Sequence, residues 1–387
     1  MSPISETEVL QHLLPGHSPA PPPADDHKSP SPTARRSVKK LVRRQVQDRS
    51  QWFRHGVQAA FVLLNLWLGI QFILWVRYYE SAGRTFYVSR PAGVEGWLPI
   101  AGMMNTKFLV ETRSIPRIHP AAMFLFLAFL LSSLLLKKAF CSWLCPIGTL
   151  SELLWKTGQK LLGRNVKLPN WLDVPLRSLK YVLLGFFAFV IGTMSAAALA
   201  DFLHSPYGLV ADVKMLNFFR NLGETGIIVI ALLLALSILI RNFWCRYLCP
   251  YGALMGLASL LSPTKIRRDA AACIDCGKCA RACSANLPVD RLVQIRSVEC
   301  AACMECIAVC PAQNALQFSL PPRRAVETKD RWRNLVLTPM TVTIVLACMF
   351  FGFVGYAKAT GHWKTNLPRS LYLELVPNAN QLSHPGM

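Results

Sequence analysis

Charged residues are scarce in this sequence. Only 16% of its 387 residues are Asp, Glu, Lys or Arg, whereas 52% are hydrophobic, and the mean hydropathy is positive at +0.32. This composition argues against a chain built only of ordinary soluble domains. It indicates an integral membrane protein.

Acidic residues are the scarcer of the two charged classes. The chain has 21 of them against 42 basic residues, which gives a net charge of +21. The basic residues crowd the N-terminal region from Arg35 to Arg54, the loop at residues 137–180 and the segment at residues 241–333. By the positive-inside rule these three regions face the cytoplasm. Topology then explains most of the charge, and no nucleic-acid partner is expected.

The N-terminal 54 residues lack the marks of an export signal. Residues 1–33 are rich in Pro, Ser, Ala and His and hold too few apolar residues to offset chain entropy, which predicts a disordered tail. The basic run that follows has neither the apolar positions of a twin-arginine signal nor a nearby cleavage site. We interpret residues 1–54 as a cytoplasmic tail that ends in a positive-inside anchor.

Long apolar runs are present, and five are sufficient to cross a hydrocarbon core, which takes about 20 helical residues. They lie at residues 57–76, 120–136, 181–200, 223–240 and 335–356. The fourth is the weakest, because it contains Glu224. A sixth run, residues 97–110, is too short to span and is either a re-entrant or interfacial piece or a packed surface loop. The basic loops place the N-terminus inside the bacterial inner (plasma) membrane and the tail at residues 358–387 in the periplasm.

Cysteine is abundant, with 13 residues, and eight of them form two copies of one pattern. Each copy reads Cys-x2-Cys-x2-Cys-x3-Cys, which is the bacterial ferredoxin run. Three closely spaced thiolates of a run wrap one 4Fe-4S cubane, and the fourth reaches the other cubane. Cluster one is therefore assigned Cys273, Cys276, Cys279 and Cys310. Cluster two is assigned Cys300, Cys303, Cys306 and Cys283, and roughly eight irons per chain are expected.

Structural zinc is the main alternative for a Cys-x2-Cys pair, but it does not explain an eight-cysteine double run. One departure from the ferredoxin pattern is Ser284, which stands where a proline usually follows the first run. Thiols in this rhythm need reducing conditions, which favours the cytoplasmic side. The fold class expected is a mainly α membrane protein, a five-helix transmembrane bundle with a small α+β ferredoxin-like cytoplasmic domain.

The expected domain order follows from these segments. Four transmembrane helices with two cysteine repeats occupy residues 55–264, and the 2[4Fe-4S] ferredoxin-like domain occupies residues 265–322. A basic linker and the fifth helix occupy residues 323–357.

A second cysteine motif, Cys-x3-Cys-Pro, occurs twice, each time just past an apolar run. Its thiols are Cys141, Cys145, Cys245 and Cys249. Proline after the second cysteine predicts that a new helix starts there, so that the helix dipole lowers the pKa of the thiol. Three interpretations stay open: extra metal or cluster ligands, a dithiol/disulfide switch, or helix-breaking caps without chemistry.

Residues 50–365 resemble the membrane polyferredoxins, a group that includes the NapH-type quinol dehydrogenase component, the NosR regulators of nitrous oxide reduction and the YccM-like iron-sulfur proteins. The resemblance rests on the paired Cys-x3-Cys-Pro motifs, the double ferredoxin run and the segment GVEGWLPI at residues 93–100. It implies electron transfer between the quinone pool and redox partners. NosR-type members carry a large periplasmic flavin-binding domain ahead of the membrane part, and only a short tail stands there in this chain. The YccM-like or NapH-like branch therefore fits better, and no flavin is expected.

The function expected is electron transfer, through two 4Fe-4S clusters, between the quinone pool or a soluble donor and a redox partner protein. The chain would be a respiratory electron-transfer component, such as a quinol dehydrogenase subunit, rather than a stand-alone enzyme. The alternative is a membrane redox sensor or an assembly factor for a respiratory reductase, and a third is an anchor that holds a ferredoxin for a partner subunit. Candidates for quinone contact near the outer face are His119, Asp201 and His204, although interfacial capping is the simpler interpretation.

Overall fold

The computed structural model describes residues 50–320 and 336–384. Three expectations therefore lie outside the described residues: the disordered tail at residues 1–33, the basic run up to Arg49, and most of the linker that precedes the last apolar helix.

Helices make up most of the described residues, and two short strands complete them. The α-helices are α1 Ser50–Glu80, α2 Pro99–Thr112, α3 Pro120–Leu136, α4 Ala139–Trp143, α5 Pro146–Leu162, α6 Asn170–Thr193, α7 Ala196–His204, α8 Pro206–Leu209, α9 Ala211–Arg220, α10 Glu224–Leu239, α11 Pro250–Ala258, α12 Lys278–Ala282, α13 Glu305–Ala308, α14 Pro339–Ala359 and α15 Arg369–Leu375. The strands are β1 Lys265–Arg268 and β2 Leu316–Ser319. Two 3-10 helices at Ala92–Trp97 and Ala379–Gln381 and a π-helical turn at Trp244–Leu248 lie between them.

Three helices of the described part are long and apolar enough to cross a membrane, namely α1, α6 and α14. A fourth candidate is the pair α9 and α10, whose axes differ by 83°. Helix α3 is equally apolar but has 17 residues, about 26 Å at 1.5 Å per residue. The described residues thus provide three spans, or four with the bent pair, and the five-helix bundle stays a prediction.

The third predicted span is wrong in its limits. Residues 181–200 were expected to form one helix, but α6 starts at Asn170 and ends at Thr193. The hydroxyl of Ser195 then accepts a hydrogen bond from the backbone N–H of Ala198 at 3.2 Å and caps α7. A serine N-cap starts a new helix, so the apolar run is divided there.

The apolar run at residues 97–110 forms helix α2, which has 14 residues. The side-chain amide of Asn105, which is fully buried, donates to the carbonyls of Ile118 and His119 at 2.9 and 2.8 Å. These bonds fix α2 to the residues that precede α3. The segment is therefore a packed helix rather than a surface loop, and its re-entrant or interfacial placement stays a prediction.

The two strands close the cysteine-rich segment. Strand β1 pairs antiparallel with β2, and Lys265 lies opposite Ser319. The backbone N–H of Leu337 donates to the carbonyl of Phe318 at 2.7 Å, so the residues that lead into α14 lie beside β2. All eight ferredoxin-run cysteines lie between these strands, with α12 in the first run and α13 in the second.

The core of the cysteine-rich segment continues into the helical part of the protein. One cluster of buried residues joins Ile266, Ile295 and Phe318 of the segment with Trp143 and Leu346 of the helices. The indole N–H of Trp143, which is fully buried, donates to the carbonyl of Ala302 at 3.2 Å. The segment therefore depends on helical side chains for part of its core.

Replacing Trp143 with Ala is expected to lower the free energy of unfolding by about 3–5 kcal/mol, because a large cavity and an unpaired carbonyl remain. Thermal melting of the purified protein, followed by absorbance of the cysteine-rich segment's chromophore and by circular dichroism, measures the loss. Trp171, which is 76% exposed, provides the control, and Trp171→Ala should leave the transition nearly unchanged. Equal losses in both variants would contradict the role of Trp143 in docking.

Candidate iron-sulfur sites

Both ferredoxin runs bend their backbone in the same way. The residues on either side of the second cysteine of each run have positive φ. They are Asp275 and Gly277 at 54° and 66° in the first run, and Ala302 and Met304 at 49° and 59° in the second. Three of these four are not glycine, and the left-handed conformation is uncommon for such residues. The shared offsets show that both loops curl around a central space in the same manner.

Each curled loop borders a cavity, and each cavity is lined by four thiols. The first cavity is lined by Cys273, Cys276, Cys279 and Cys310. The second is lined by Cys283, Cys300, Cys303 and Cys306. We call them cavity one and cavity two. The last cysteine of each run thus lies at the cavity of the other run, and ligation by these two sets stays a prediction.

The residues around both cavities fit a 4Fe-4S cluster. Backbone N–H groups point at the sulfurs, as in the bond from Leu287 to the Sγ atom of Cys283 at 3.4 Å. Such donors stabilise thiolate and sulfide charge and tune the cluster potential. Among the described His, Cys, Asp and Glu side chains, no group of three or more is spaced to hold one metal ion. Thiolates of a cubane bind different irons, so they need no common centre.

Burial dominates the pKa values of these thiols. It raises the pKa of Cys303 to about 11, against a smaller lowering by the Arg54 guanidinium, and it raises the pKa of Cys279 to about 11. It also raises the pKa of Cys306, with the neighbouring thiols Cys303 and Cys300 adding to the shift. Such thiols stay protonated at neutral pH, and a metal would displace their protons on binding.

The two cavities differ in their surroundings. Cavity one is bordered by Lys278, which is exposed, and by Asp290. Cavity two lies against helix α1, where the side-chain amide of Gln51 donates to the carbonyl of Cys303 at 3.0 Å. The guanidinium of Arg54, which is fully buried, forms an ion pair with Glu152 of α5 at 2.5 Å. Cavity two is therefore the inner one, and it has a buried cation beside it.

The Cys-x3-Cys-Pro motifs start helices, as the prolines predicted. Cys145 is the N-cap of α5, and its sulfur accepts from the backbone N–H of Gly148 at 3.4 Å. Cys249 is the N-cap of α11, and its sulfur accepts from Gly252 at 3.2 Å. The prediction of a lowered pKa is wrong at Cys145. Burial raises the pKa of this thiol to about 11, because it outweighs the hydrogen bond from Gly148.

The two motifs meet each other and the cysteine-rich segment. A larger cavity, which we call the junction cavity, has Cys141 and Cys245 in its wall together with Ser284, Ala301 and Cys303. Ser284, Ala301 and Cys303 line cavity two as well. The motifs, 104 residues apart in sequence, are thus brought to the inner side of the ferredoxin-like segment.

The three candidates for quinone contact lie apart from the thiol sites. His119 is fully buried and serves as the N-cap residue of α3; its Nε2–H donates to the carbonyl of Gly208 at 2.8 Å. Asp201 and His204 are exposed on α7, and the His204 ring bonds to the carbonyl of Ala200 within its own helix. The structure brings none of these three to cavity one, cavity two or the junction cavity.

A buried ionic network surrounds His119, and no local sequence pattern predicts its pairing. Arg90 forms ion pairs with Glu95 at 2.8 Å and Asp212 at 2.7 Å, and the Nδ1 atom of His119 lies 3.3 Å from a carboxylate oxygen of Glu95. Thr365 donates its hydroxyl proton to the same Glu95 oxygen at 3.0 Å. These residues come from distant parts of the chain, so no spacing rule joins them.

Comparison with known proteins supports the cluster sites. Residues 118–169 and 222–269 match a family described as a 4Fe-4S binding domain, and residues 265–314 match a 4Fe-4S dicluster domain. The chain is 50% identical over 332 residues to YccM of Escherichia coli (strain K12), whose name describes an electron transport protein; the match covers 86% of this chain and 92% of the relative. No solved structure matches the chain.

Two further relatives match a smaller part. The ferredoxin-type protein NapH of Escherichia coli is 28% identical over 182 residues, which is 45% of this chain and 59% of NapH. The regulatory protein NosR of Pseudomonas aeruginosa is 31% identical over 192 residues, which is 48% of this chain and 25% of NosR. The similarity to NosR is thus confined to a quarter of that protein.

Replacing Cys283 with Ser is expected to remove the cluster of the second run and to preserve that of the first, because Cys283 lines cavity two. Electron paramagnetic resonance of the reduced, anaerobically prepared protein measures this. Cys273→Ser and Cys300→Ser identify the signals of the first and second clusters, and Cys348→Ser, in exposed α14, is the matched control. Loss of the same signal in Cys283→Ser and Cys273→Ser would show that each run binds its own cluster.

The ionic network at His119 predicts a pH dependence of stability. Burial raises the pKa of Glu95, but Arg90 and His119 outweigh it and hold the pKa at about 2, below its ordinary 4.5. The contribution of the Glu95 carboxylate to the free energy of unfolding is present above pH 4.5 and is lost as the pH falls towards 2. The pKa of His119 is raised above 6.5, because Glu95 and Asp212 outweigh burial and Arg90. The contribution of the protonated His119 ring to the free energy of unfolding is present below pH 6.5 and is lost as the pH rises through the pKa of the folded state.

Glu95→Gln is therefore expected to destabilise the protein most between about pH 4.5 and 6.5, where both contributions are full. Removing one partner of a buried ion pair costs about 3–5 kcal/mol. Melting temperatures across the pH range check this, with Glu111→Gln, in an exposed ion pair with Lys107, as the control. A loss that does not vary with pH would refute the coupling of Glu95 to His119.

Proposed function

The chain belongs to the membrane polyferredoxin family that includes YccM, and on this premise we propose that it transfers single electrons at the cytoplasmic face of the bacterial inner membrane. The electrons pass between the quinone pool, or a soluble donor, and a redox partner protein. The observation that carries the proposal is the pair of cavities, each lined by four thiols of the two ferredoxin runs.

Eight thiols of the ferredoxin-like segment would hold the two clusters: Cys273, Cys276, Cys279 and Cys310 at cavity one, and Cys283, Cys300, Cys303 and Cys306 at cavity two. A bound 4Fe-4S cluster supplies one-electron chemistry. The described residues around both cavities provide thiols and backbone N–H donors, and the proposal needs no acid, base or nucleophile. Domain limits at residues 265–322, the five-helix arrangement and the periplasmic C-terminal tail are parts of the same proposal.

The charges near the two cavities favour electron transfer from cavity one to cavity two, which is the inner cavity. Cavity two has the Arg54 guanidinium beside Cys303 and the ammonium of Lys137 near Cys300, and both cations are fully buried. At cavity one the carboxylate of Asp290 lies near Cys279, and the two cations in its wall, Arg268 and Lys278, are half-buried and exposed rather than fully buried. Positive charge in a medium of low dielectric stabilises an added electron, and negative charge opposes it. We therefore place the electron acceptor of the pair at cavity two.

A quinone would meet the protein near helix α5. This helix begins at Pro146, directly after the first Cys-x3-Cys motif, and its apolar side chains Ile147, Leu153 and Leu161 are exposed. An exposed apolar stripe on an amphipathic helix suits the interface between headgroups and acyl chains. Glu152 on the other side pairs with Arg54 beside cavity two. A ligand moving in the bilayer plane would thus approach the inner cavity.

His119 is too remote from cavity two for a quinone bound there to exchange electrons with it. Gln51 of α1 contacts the carbonyl of Cys303, whereas Trp75 of the same helix lies under Arg90, which is in the network of His119. These two positions on α1 are 24 residues apart, which is about 36 Å of helix axis at 1.5 Å per residue. A quinone at His119 would be at the far end of α1 from cavity two.

The proposal is tested by adding menaquinone or ubiquinone analogues to anaerobic membranes that contain the dithionite-reduced protein. Rapid reoxidation of the clusters, followed by their visible absorbance, is expected. Cys306→Ser should lower the rate at least tenfold because it removes a thiol of cavity two, while Cys348→Ser should retain the rate. A sensor would instead show thiol accessibility that follows the redox poise with negligible turnover, and an anchor would show no quinone reaction; either result refutes the proposal.

A further inference from the structure

A cavity at the C-terminal end of α1 takes no part in the proposed electron transfer, and we call it the outer cavity. Its wall comes from α1, from the residues that lead into the 3-10 helix at Ala92–Trp97, and from residues 364–372 around the start of α15. None of its lining residues also lines cavity one, cavity two or the junction cavity. The outer cavity is therefore a separate site.

Aromatic rings form much of the wall of the outer cavity. Trp75 and Tyr79 of α1 contact Tyr372 of α15, with ring centroids 5.0 and 5.5 Å apart. Tyr79 is 3% exposed and Tyr372 is 8% exposed. In the part of the chain that the structure describes, the hydroxyls of these two tyrosines make no hydrogen bond. Buried polar groups ordinarily have a partner, so the wall lacks acceptors for two donors.

The phenol of Tyr372 keeps its proton at neutral pH. Burial raises the pKa of Tyr372 to about 12, against a smaller lowering by the Arg90 guanidinium. A protonated phenol donates a hydrogen bond, and an anionic oxygen is the stronger kind of acceptor. A ligand that brings acceptor oxygens into the outer cavity would supply the missing partner.

The charged groups that line the outer cavity are cations. Arg90, Lys364 and Arg369 belong to its wall, and among the described residues no Asp or Glu side chain does. Arg90 is already compensated, because it pairs with Glu95 and Asp212. Lys364 and Arg369 are exposed and have no ion-pair partner among the described residues. Water satisfies one such cation, but two of them border a single cavity, so the site favours an anion.

The outer cavity lies at the depth of lipid head groups. Trp75 and Tyr79 are in the last two turns of α1, which is long and apolar enough to span a membrane. The side-chain amide of Gln71 donates to the carbonyl of Ser89 at 3.0 Å, so the chain that follows α1 runs back along this helix. Aromatic residues concentrate at the membrane interface, but such a belt needs no uncompensated cations. Basic pockets between membrane helices bind phosphate head groups.

We propose that the outer cavity binds a phosphate ester. Lys364 and Arg369 would donate charge-assisted hydrogen bonds to its anionic oxygens, and its organic part would pack on the rings of Tyr79 and Tyr372. A diester has one negative charge and a monoester up to two, which suits two uncompensated cations. The bound ester would join the segment that begins α15 to the end of α1. The inference is independent of the iron-sulfur clusters, because no cysteine lines this cavity.

Isothermal titration calorimetry on the full-length protein in a neutral detergent tests the inference. The probes are short-chain phosphatidylglycerol, glycerol 3-phosphate, and a short-chain diacylglycerol that lacks the phosphate. The wild type is expected to bind at least one of the two phosphates. The double variant Lys364→Gln/Arg369→Gln should raise the Kd about tenfold or more, because it removes two charged donors. Arg117→Gln/Lys358→Gln is the matched control, since it removes the same charge from exposed residues outside the cavity.

The two phosphate probes distinguish the sources of the ester. Binding of phosphatidylglycerol without glycerol 3-phosphate identifies a lipid head group, whereas binding of glycerol 3-phosphate identifies a soluble ester. Binding of neither phosphate, diacylglycerol bound as tightly as phosphatidylglycerol, or an equal rise in Kd in the two double variants would overturn the inference. Reoxidation of the clusters by quinone analogues should be the same in all variants, so the proposed electron transfer stands or falls separately.

Tyr372→Phe provides a second test, because it keeps the ring and removes only the hydroxyl. The variant should raise the Kd about fivefold, the loss of one hydrogen bond, and leave the Tm of the ligand-free protein nearly unchanged. An unchanged Kd, or an equal rise in Tyr356→Phe, whose side chain is exposed on α14 outside the cavity, would contradict the placement of the ester.

Discussion

The docking of the cysteine-rich segment onto the helical part is the interaction on which the rest of the structure depends. The turn that carries the first Cys-x3-Cys-Pro motif reaches into the second ferredoxin run, where Ser142 and Trp143 donate to the carbonyls of Ala301 and Ala302. Both carbonyls belong to the loop that curls around cavity two. One short stretch of chain thus holds the inner cavity in place and presents Cys141 beside it, so membrane helices, ferredoxin-like segment and paired motifs form one unit.

Buried positive charge is concentrated at this same contact between the helices and the cysteine-rich segment. Arg54, Lys137 and Lys138 are buried where the helices meet the cysteine-rich segment, although unpaired buried cations are costly. Arg54 is paired with Glu152, and Lys137 donates to the carbonyl of Ser297. The electropositive interior is therefore concentrated at the inner sites, where thiolates and sulfides would carry negative charge. The basic excess of the sequence serves topology at the surface and charge compensation inside.

The cysteine spacing predicted more of the candidate sites than of the fold. A fixed motif indicates which thiols share a loop, and a proline after Cys145 or Cys249 predicts a helix start, because both are local rules. The break at Ser195 and the 83° bend between α9 and α10 were not predicted, since apolar composition does not distinguish one span from two shorter helices. The Arg90 network and the position of Lys138 depend on contacts between distant segments, which no local pattern encodes.

The contact between Gln51 and Cys303 has a consequence for biosynthesis. Its partners are 252 residues apart, at the start of the first helix and in the second ferredoxin run. The ribosome therefore delivers α1 to the membrane long before the loop that it covers exists. A cluster proposed for the inner site would therefore be assembled late, on a chain whose first helix is already anchored.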